Sequence, residues 1–440
     1  MRTHAVFLTR AGECELMDKE LPPIGPGEVL MKVDASSMCY STYKALKLGA
    51  QHKRVPDDLS TNPVMTGHEF TGTIAEVGSA LSDRYRVGEH IVIQPAMGLP
   101  SGYSPGYSYS TYGGDATYTI VPDFAIERGA ILPYSSDFAA NGCLAEPMMC
   151  IIGAFHANFH TTQYVYEHRM GIKPKGNLAL LGAAGPMGLG TIEYALNGPY
   201  LPRTIVVTDI DQERLNRAAK LLPPSLLEGS GRKLVYLNTA GIDDPTELLM
   251  AQTDGEGYDD VFVFAANEEL VELADTIKAS DCCLNLFAGP TNEKFSARFN
   301  FYDVHYESSH VVGTSGGARS DMEEGLALAS EGKLNPALMV THIGGLDAVP
   351  PTLKNFPKIG GGKKLFYTSV RMPLIPIDEF RDHVPEDPRF AGLADICESN
   401  DNVWSREAEQ YLLKHWGSDS ESGATSSTTR AFSGASSSVE

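Results

Sequence analysis

The sequence predicts an α/β protein with two domains, one an irregular β domain and the other built on a parallel, doubly wound sheet. The chain has 440 residues. A single hydrophobic core stops growing at roughly 250 to 300 residues, so a chain of this length should fold as more than one domain. Hydrophobic residues make up 42% and charged residues 21% of the sequence, which is ordinary globular usage and excludes a largely disordered or fibrous chain.

Residues 1–152 predict the irregular β domain. Short runs of β-type residues alternate there with Gly, Pro and Asp turn residues, at 29–33, 72–77, 90–94 and 116–121. Segment 97–116 contains five Gly, four Tyr and four Ser. That many turn residues do not suit a regular element, so this segment predicts a long surface lobe.

Residues 153–312 predict the doubly wound domain. Short apolar strands alternate there with helical stretches, at 178–181, 204–208, 261–264 and 283–287. Such alternation is typical of a parallel sheet. A helical stretch at 321–331 and strand-like runs at 337–343 and 364–370 indicate that residues 313–417 rejoin the first domain. Residues 418–440 contain nine Ser and three Thr and are predicted to be disordered.

Charge and composition exclude several kinds of partner. Lys and Arg number 35 against 56 Asp and Glu, a net charge of −21 that repels a phosphate backbone, so no nucleic-acid partner is expected. The longest apolar run, 148–157, is far shorter than the roughly 18 residues of a membrane span, so no membrane partner is expected either. Seven scattered cysteines favour a reducing compartment, and we expect a cytoplasmic protein.

A glycine turn between a predicted strand and a predicted helix is the first candidate binding site. The turn follows strand 178–181 and contains Gly182, Ala183, Gly185, Pro186, Met187 and Gly188. Gly185 lets a pyrophosphate approach the backbone, Gly188 permits close helix packing, and the helix N-terminus attracts an anion. Ala183 replaces the first glycine of the usual dinucleotide fingerprint, so the motif alone also fits an ordinary turn.

An acidic residue at the end of the next strand strengthens the nucleotide hypothesis. Asp209 comes 21 residues after Gly188. A carboxylate there accepts hydrogen bonds from the adenosine ribose and repels a 2′-phosphate, which favours NAD(H) over NADP(H). Arg214 lies near the same ribose, and its positive charge would accommodate the extra phosphate. The sequence therefore allows either NAD(H) or NADP(H). Alternatively, Asp209 is the N-cap of a helix at 212–221.

A motif typical of metal-binding sites lies in the first domain. It reads Gly67-His68-Glu69-x-x-Gly72-x5-Gly78, and a Cys39-x-Ser41 element precedes it. With the glycine turn downstream, these motifs stand in the order that resembles the zinc-dependent medium-chain dehydrogenases and reductases, the alcohol and polyol dehydrogenase superfamily. The resemblance covers roughly residues 1–370. It implies a GroES-like catalytic domain with an inserted Rossmann domain.

The resemblance implies a catalytic site with one zinc ion. Cys39 and His68 would bind the ion, with either Glu69 or Glu146 as the third ligand. Thiolate, imidazole and carboxylate are good zinc ligands, and three of them leave a fourth position for water or substrate. Ser41 matches the family hydroxyl that bonds the substrate oxygen and relays its proton. The predicted catalytic residues are therefore Cys39, Ser41, His68 and Glu69, and the cysteine-free segment 97–116 predicts no second, structural zinc.

The implied reaction is hydride transfer between NAD(P) and a polyol or ketose. Glu146, the cysteine-free segment and the extended C-terminal region look most like the sorbose 1-phosphate reductase subgroup, which implies a sugar phosphate. Cations near the Cys39 element would bind the phosphate, and the candidates are Lys44, Lys47, Lys53 and Arg54. Residues 313–317 resemble family segments near the nicotinamide, and a homo-oligomer, dimer or tetramer, is implied. The alternatives are a zinc-free quinone or enoyl reductase and a non-catalytic nucleotide-binding relative.

Overall fold

The computed structural model describes residues 1–162 and 164–417, so the tail predicted to be disordered, 418–440, lies outside the described residues. The strands of the described residues are β1 (Arg2–Arg10), β2 (Glu13–Glu20), β3 (Val29–Ser37), β4 (Val64–Met65), β5 (Glu69–Val77), β6 (His90–Ile93), β7 (Tyr118–Val121), β8 (Ile131–Pro133), β9 (Phe159–Thr161), β10 (His168–Met170), β11 (Asn177–Leu181), β12 (Thr204–Asp209), β13 (Lys233–Asn238), β14 (Tyr258–Val263), β15 (Lys278–Leu286), β16 (His310–Gly313), β17 (Val340–Gly345), β18 (Lys363–Tyr367) and β19 (Ile375–Pro376).

The α-helices of the same residues begin just after the Cys39 element and end at the C-terminal limit of the described chain. They are α1 (Tyr40–Leu48), α2 (Asp123–Glu127), α3 (Ala139–Cys143), α4 (Ala145–Ala157), α5 (Pro186–Asn197), α6 (Gln212–Leu221), α7 (Thr246–Met250), α8 (Glu268–Thr276), α9 (Phe301–Tyr306), α10 (Arg319–Ser330), α11 (Val349–Asn355), α12 (Phe390–Ser399) and α13 (Arg406–Trp416). Short 3-10 helices connect several of them.

A six-stranded parallel sheet forms the doubly wound part, in the order β13-β12-β11-β14-β15-β16. Strand β11 shows why its sequence is a continuous apolar run. Leu178 and Leu180 belong to the hydrophobic core on one face, whereas Ala179 and Leu181 belong to the core on the other. Because side chains alternate between the faces and both faces are covered, every residue of β11 is buried.

The sequence predicted four of these six strands. It missed β13 and β16, which lie at the two edges of the sheet and have mixed, partly exposed side chains instead of an apolar run. An edge strand has a neighbour on one side only, so its sequence is under weaker pressure to be apolar.

The second large sheet has the order β19-β17-β18-β3-β5-β6-β8, with β7 also paired to β3. Strand β18 pairs antiparallel with β3, so a strand of the C-terminal part belongs to the same sheet as a strand of the N-terminal part. A smaller sheet has the order β2-β1-β4. Helix α4 crosses the predicted boundary between residues 152 and 153, and the division into residues 1–152 with 313–417 and 153–312 stays a prediction.

Segment 97–116, predicted as a surface lobe, is largely buried. Tyr107 and Tyr112 are almost wholly inaccessible to solvent. At Gly106, which has a φ of +76°, a Cβ atom would lie 2.3 Å from the backbone oxygen of Gly67. Its glycines therefore let this segment pack directly on the Gly67-His68 turn instead of extending into solvent, and this packing brings Tyr107 to His68.

All seven cysteines are free thiols. Five of them are buried, whereas Cys39 and Cys150 are partly accessible. Among the helices of residues 1–162 and 164–417, none combines the length and the hydropathy that crossing a membrane requires.

Candidate active site

Three of the predicted metal ligands lie together. Cys39 precedes α1, His68 precedes β5, and Glu69 begins β5. The Cys39 sulfur, a His68 ring nitrogen and a Glu69 carboxylate oxygen all lie within 4.8 Å of one another, and they form the only such group of three in the described residues. Ligands at about 2.0 to 2.3 Å from a tetrahedral zinc ion lie about 3.5 Å apart, so these three side chains fit a zinc ion after a small contraction.

Glu69 is held by a lysine that the sequence analysis missed. The Lys363 Nζ donates to both carboxylate oxygens, at 2.5 and 2.7 Å, and the Ser37 hydroxyl donates to one of them. Both charged side chains are buried. Burial alone would lower the pKa of Lys363, but the charge and hydrogen bonds of Glu69, together with the nearby Cys39 and Glu146, outweigh it and raise this pKa above its usual value. The two residues thus form a neutralised ion pair inside the site.

Glu146 faces the same cavity from the first turn of α4. It lies outside the tight group of three, and its Oε1 accepts a hydrogen bond from the Cys150 thiol at 3.6 Å. Burial raises the pKa of Glu146 to about 7; His68 opposes this shift, whereas Glu69 and Cys39 add to it. Both candidate glutamates therefore line the site, Glu69 already paired with a cation and Glu146 with a carboxyl that titrates near neutral pH.

Ser41 lies within hydrogen-bond distance of both Cys39 and His68. Its Oγ donates to the Cys39 sulfur at 3.0 Å and lies 3.4 Å from His68 Nε2. The Tyr107 hydroxyl is 2.6 Å from Ser41 Oγ and 3.4 Å from His68 Nε2. Burial lowers the pKa of His68, which favours the neutral imidazole that binds metals. Sequence reasoning assigned Tyr107 to the lobe, and no local signal connects it with His68.

A cavity of about 440 Å³ contains this group, and residues of the doubly wound part also line it. The doubly wound part contributes Met187, Phe287 and Gly289, and residues 314–316 lie at the predicted nicotinamide segment. Met187 of the predicted nucleotide turn borders the same cavity as the group of Cys39, His68 and Glu69. A dinucleotide bound at the turn would therefore lie beside this group.

One of the four predicted phosphate-binding cations reaches this cavity. Arg54 lines it, with its guanidinium carbon 5.3 Å from the centre of the Tyr107 ring. Lys44 instead donates to the backbone oxygen of Gly289, at 3.0 Å. Lys47 and Lys53 are exposed and do not line the cavity. Lys47 and Lys53 therefore do not reach the cavity, whereas Lys44 bonds a residue of its lining. Phosphate binding by these cations stays a prediction.

The glycine turn leads into the N-terminus of α5. Gly185 is the N-cap of α5 and Pro186 is its first residue. A Cβ atom on Gly188 would lie 1.7 Å from the backbone oxygen of Ala183, so no other residue fits there. At Gly185 a Cβ atom would meet nothing within 4 Å, which leaves open space before the helix N-terminus. Gly182 has a φ of +68°, a conformation that favours glycine.

Asp209 ends β12 and faces a second cavity, of about 770 Å³, together with Gly182 and Arg214. Its carboxylate accepts hydrogen bonds from the backbone N–H groups of Ala184 and Ile210, at 3.0 and 2.9 Å. Asp209 thus joins the glycine turn to the end of β12, where a ribose would lie.

The alternative role of Asp209 as a helix N-cap is wrong. Asp211 caps α6, because its Oδ1 accepts hydrogen bonds from the backbone N–H groups of Glu213 and Arg214 at 3.0 and 3.1 Å. The Arg214 Nε lies 3.3 Å from an Asp211 oxygen. The cation near the predicted ribose position is therefore paired with the capping carboxylate.

Comparison with known proteins decides the family. Residues 25–129 match the model of the alcohol dehydrogenase GroES-like domain. The chain is 52% identical over 415 residues to the mannitol-1-phosphate 5-dehydrogenase of Aliivibrio fischeri, across 94% of this chain and 98% of that one. It is 43% identical over 416 residues to the L-sorbose 1-phosphate reductase of Klebsiella pneumoniae, with the same shares covered. The chain belongs to the medium-chain dehydrogenase/reductase superfamily.

This membership confirms the predicted fold class, a GroES-like domain with a Rossmann domain. The 2R,3R-butanediol dehydrogenase of Bacillus subtilis has the same fold, with a TM-score of 0.68 and 21% identity over 83% of this chain and 99% of that one. The protein is an NAD(P)-dependent alcohol or polyol dehydrogenase, as predicted. The non-catalytic alternative has no support among these relatives.

Proposed function

We propose that this dehydrogenase transfers hydride between a nicotinamide cofactor and a phosphorylated polyol or ketose, at one zinc ion. The observation that carries the proposal is a single cavity that contains the Cys39-His68-Glu69 group, the start of the nucleotide helix at Met187, and Arg54. Two relatives named for sugar-phosphate substrates support it. The substrate class is thus inferred from a cation and a metal-binding group that share one space.

Cys39, His68 and Glu69 are our choice of zinc ligands. Glu69 is preferred to Glu146 because its oxygen already lies within the group of three. When bound, zinc supplies Lewis-acid chemistry that makes a substrate hydroxyl acidic or polarises a carbonyl. The zinc contents of Glu69→Gln and Glu146→Gln test this choice. The variant that removes the true ligand should retain less zinc than the other.

Ser41 would move the substrate proton, and Tyr107 would hold Ser41 in place. The Ser41 hydroxyl is both a donor and an acceptor and lines the cavity, so it would accept the proton of the substrate hydroxyl and release its own to water in the cavity. Burial raises the pKa of Tyr107 well above its usual value, so the phenol stays protonated and can donate to the Ser41 oxygen 2.6 Å away.

The glycine turn and Asp209 would bind the cofactor. The open face at Gly185 and the helix N-terminus suit a pyrophosphate. Asp209 suits the two ribose hydroxyls of NAD(H), and Arg214 is already paired with Asp211. We therefore infer a preference for NAD(H) over NADP(H).

Arg54 would bind the substrate phosphate. Among the described residues that line the cavity, Arg54 and Lys363 are the cations, and Lys363 is neutralised by Glu69. The Ser108 hydroxyl donates to the Arg54 backbone oxygen at 2.6 Å, which fixes this part of the chain against the buried segment. A guanidinium binds phosphate through paired N–H groups, so one well-placed arginine suffices.

A substrate panel tests this function. Mannitol 1-phosphate, sorbose 1-phosphate and their unphosphorylated forms are assayed with NAD(H) and NADP(H), beside zinc analysis. Arg54→Ala should lower kcat/KM for the phosphorylated substrate about ten- to a hundredfold, because a hydrogen bond to a charged group contributes roughly 1.5 to 3 kcal/mol. Lys47→Ala is the matched control. Equal losses on the free and phosphorylated sugars would contradict the role of Arg54.

Exposed apolar side chains near one sheet edge support a homo-oligomer. Strand β16 is an edge strand, and Phe159 of the hairpin β9–β10 contacts His310 of β16, with ring centres 4.3 Å apart. Large exposed apolar residues occur in this hairpin, in α9 and in β16, and they are Tyr164, Val165, Tyr166, Met170, Phe301, Tyr302, Val304, Tyr306 and Val311. We infer that a second copy covers this surface, and light scattering of Val311→Asp against the unaltered chain tests the inference.

A further inference from the structure

The last described helix carries a buried carboxylate that the proposed reaction does not use. Glu409 lies in the first half of α13 and is 1% exposed. Its two oxygens accept hydrogen bonds from the backbone N–H groups of Ala139 and Ala140, at 2.8 and 3.0 Å. One oxygen also accepts from the Tyr367 hydroxyl, at 2.6 Å. A carboxyl group taken out of water and bonded this fully needs a reason, since a well-packed apolar residue would be as stable.

Both partners of Glu409 lead directly to the candidate active site. Ala139 and Ala140 begin α3, which runs into α4, and Glu146 lies in the first turn of α4. Tyr367 is the last residue of β18, and the first residue of β18 is Lys363, the partner of Glu69. Glu409 therefore connects the segment that carries one site glutamate with the strand that holds the other.

The hydrogen-bond directions require an acceptor at position 409. The Trp404 indole N–H donates to the Tyr367 oxygen at 2.7 Å, so the Tyr367 hydroxyl directs its own hydrogen to Glu409. With the two backbone N–H groups of α3, three donors converge on one side chain. A carboxylate satisfies all of them, whereas an amide would place its NH₂ group against at least one donor.

We propose that Glu409 is a positioning residue, which fixes Glu146 relative to the Glu69–Lys363 pair by clamping the start of α3 to β18. The inference rests on the proposed zinc-dependent function, because it assigns Glu409 an effect on that site. It does not make Glu409 a catalytic residue, since the side chain contacts α3 and Tyr367 and does not line the active-site cavity.

The clamp itself can be tested without activity. Glu409→Gln is compared with Glu407→Gln, a change of an exposed glutamate on the same helix. Amide hydrogen exchange of the metal-free chains should show faster exchange at Ala139 and Ala140 in Glu409→Gln alone. Unchanged exchange at these two amides would overturn the clamp, whatever the substrate of the enzyme is.

The consequence for the site is tested by a double-mutant cycle on the intact enzyme. Glu409→Gln should lower kcat about tenfold, since a misplacement of about 1 Å at an active site costs up to a hundredfold. It should also shift the visible spectrum of the cobalt-substituted enzyme. In a Glu146→Gln background, adding Glu409→Gln should lower kcat less than twofold, because the residue it positions is already altered.

Two results would overturn the positioning role. One is a tenfold loss that persists in the Glu146→Gln background, which indicates a general structural effect. The other is an unchanged cobalt spectrum and kcat in Glu409→Gln. Absence of zinc and turnover from the unaltered chain is a different result, because it contradicts the proposed function while the exchange experiment still reports on the clamp.

Discussion

The crevice around Cys39, His68 and Glu69 and the nucleotide turn border one cavity but are built in opposite ways. The crevice is made of buried and partly buried side chains from distant parts of the chain, as in the buried pair of Glu69 and Lys363. The turn is a contiguous stretch, 182–188, in which backbone groups and missing side chains define the site. We therefore expect the crevice to lose zinc, activity or stability when a charged or metal-binding group is removed. The turn should lose stability or cofactor binding when an atom is added.

The largest effect should follow the loss of the crevice thiolate. Cys39→Ala removes one of three ligands, so zinc content should fall below a tenth of the unaltered chain, measured by atomic absorption. Turnover should fall about a thousandfold or more, because metal activation contributes several kcal/mol to the barrier. Cofactor affinity, measured by fluorescence titration, should change little because the turn is separate. Cys397→Ala, a buried thiol in α12, is the control, and full activity of Cys39→Ala would remove the zinc mechanism.

Removing a charge from the crevice should destabilise the fold. Lys363→Met leaves Glu69 buried without its cation, and breaking a buried pair in this way costs about 3 to 5 kcal/mol. The free energy of unfolding from denaturant titration measures this cost. Lys363→Met combined with Glu69→Gln should recover most of it, since no unpaired charge then remains. If the double variant is as unstable as Lys363→Met alone, the cost comes from packing and not from the charge.

Adding one methyl group distinguishes the packing role of Gly188 from the proposed binding role of Gly185. Gly188→Ala should cost about 1 to 3 kcal/mol of unfolding free energy, because its Cβ would lie 1.7 Å from the Ala183 oxygen. Gly185→Ala should leave stability nearly unchanged but weaken cofactor binding, since its Cβ would occupy the space proposed for the pyrophosphate. Thermal unfolding and cofactor titration measure the two effects. Equal losses of stability would contradict the assignment of Gly185 to binding.

The same contrast explains how much the sequence predicted. The turn and its strand β11 were predicted because their determinants are local: a continuous apolar run, glycines and a helix start. The group of Cys39, His68 and Glu69 was predicted from motifs in family order. Lys363 was missed, since it stands in a run of glycines and lysines typical of an exposed turn, and only the pairing of β18 with β3 places it beside Glu69.

The position of Tyr107 was missed for a related reason. A segment rich in Gly, Ser and Tyr is usually exposed, and burial here depends on the close approach of Gly106 to the Gly67 backbone. That approach joins two segments nearly forty residues apart in a chain that offers many glycines. Composition therefore predicted the irregular backbone of this segment correctly but not the surface against which it packs.

The smallest effect concerns the choice of cofactor. Asp209→Ala removes the acceptor proposed for the ribose hydroxyls and the charge that would repel a 2′-phosphate, so the ratio of kcat/KM for NAD(H) to that for NADP(H) should fall about tenfold. The carboxylate also bonds the backbone of Ala184 and Ile210, so the variant should lose some activity with both cofactors. The ratio cancels this shared loss. An unchanged ratio would mean that Asp209 shapes the turn without selecting the nucleotide.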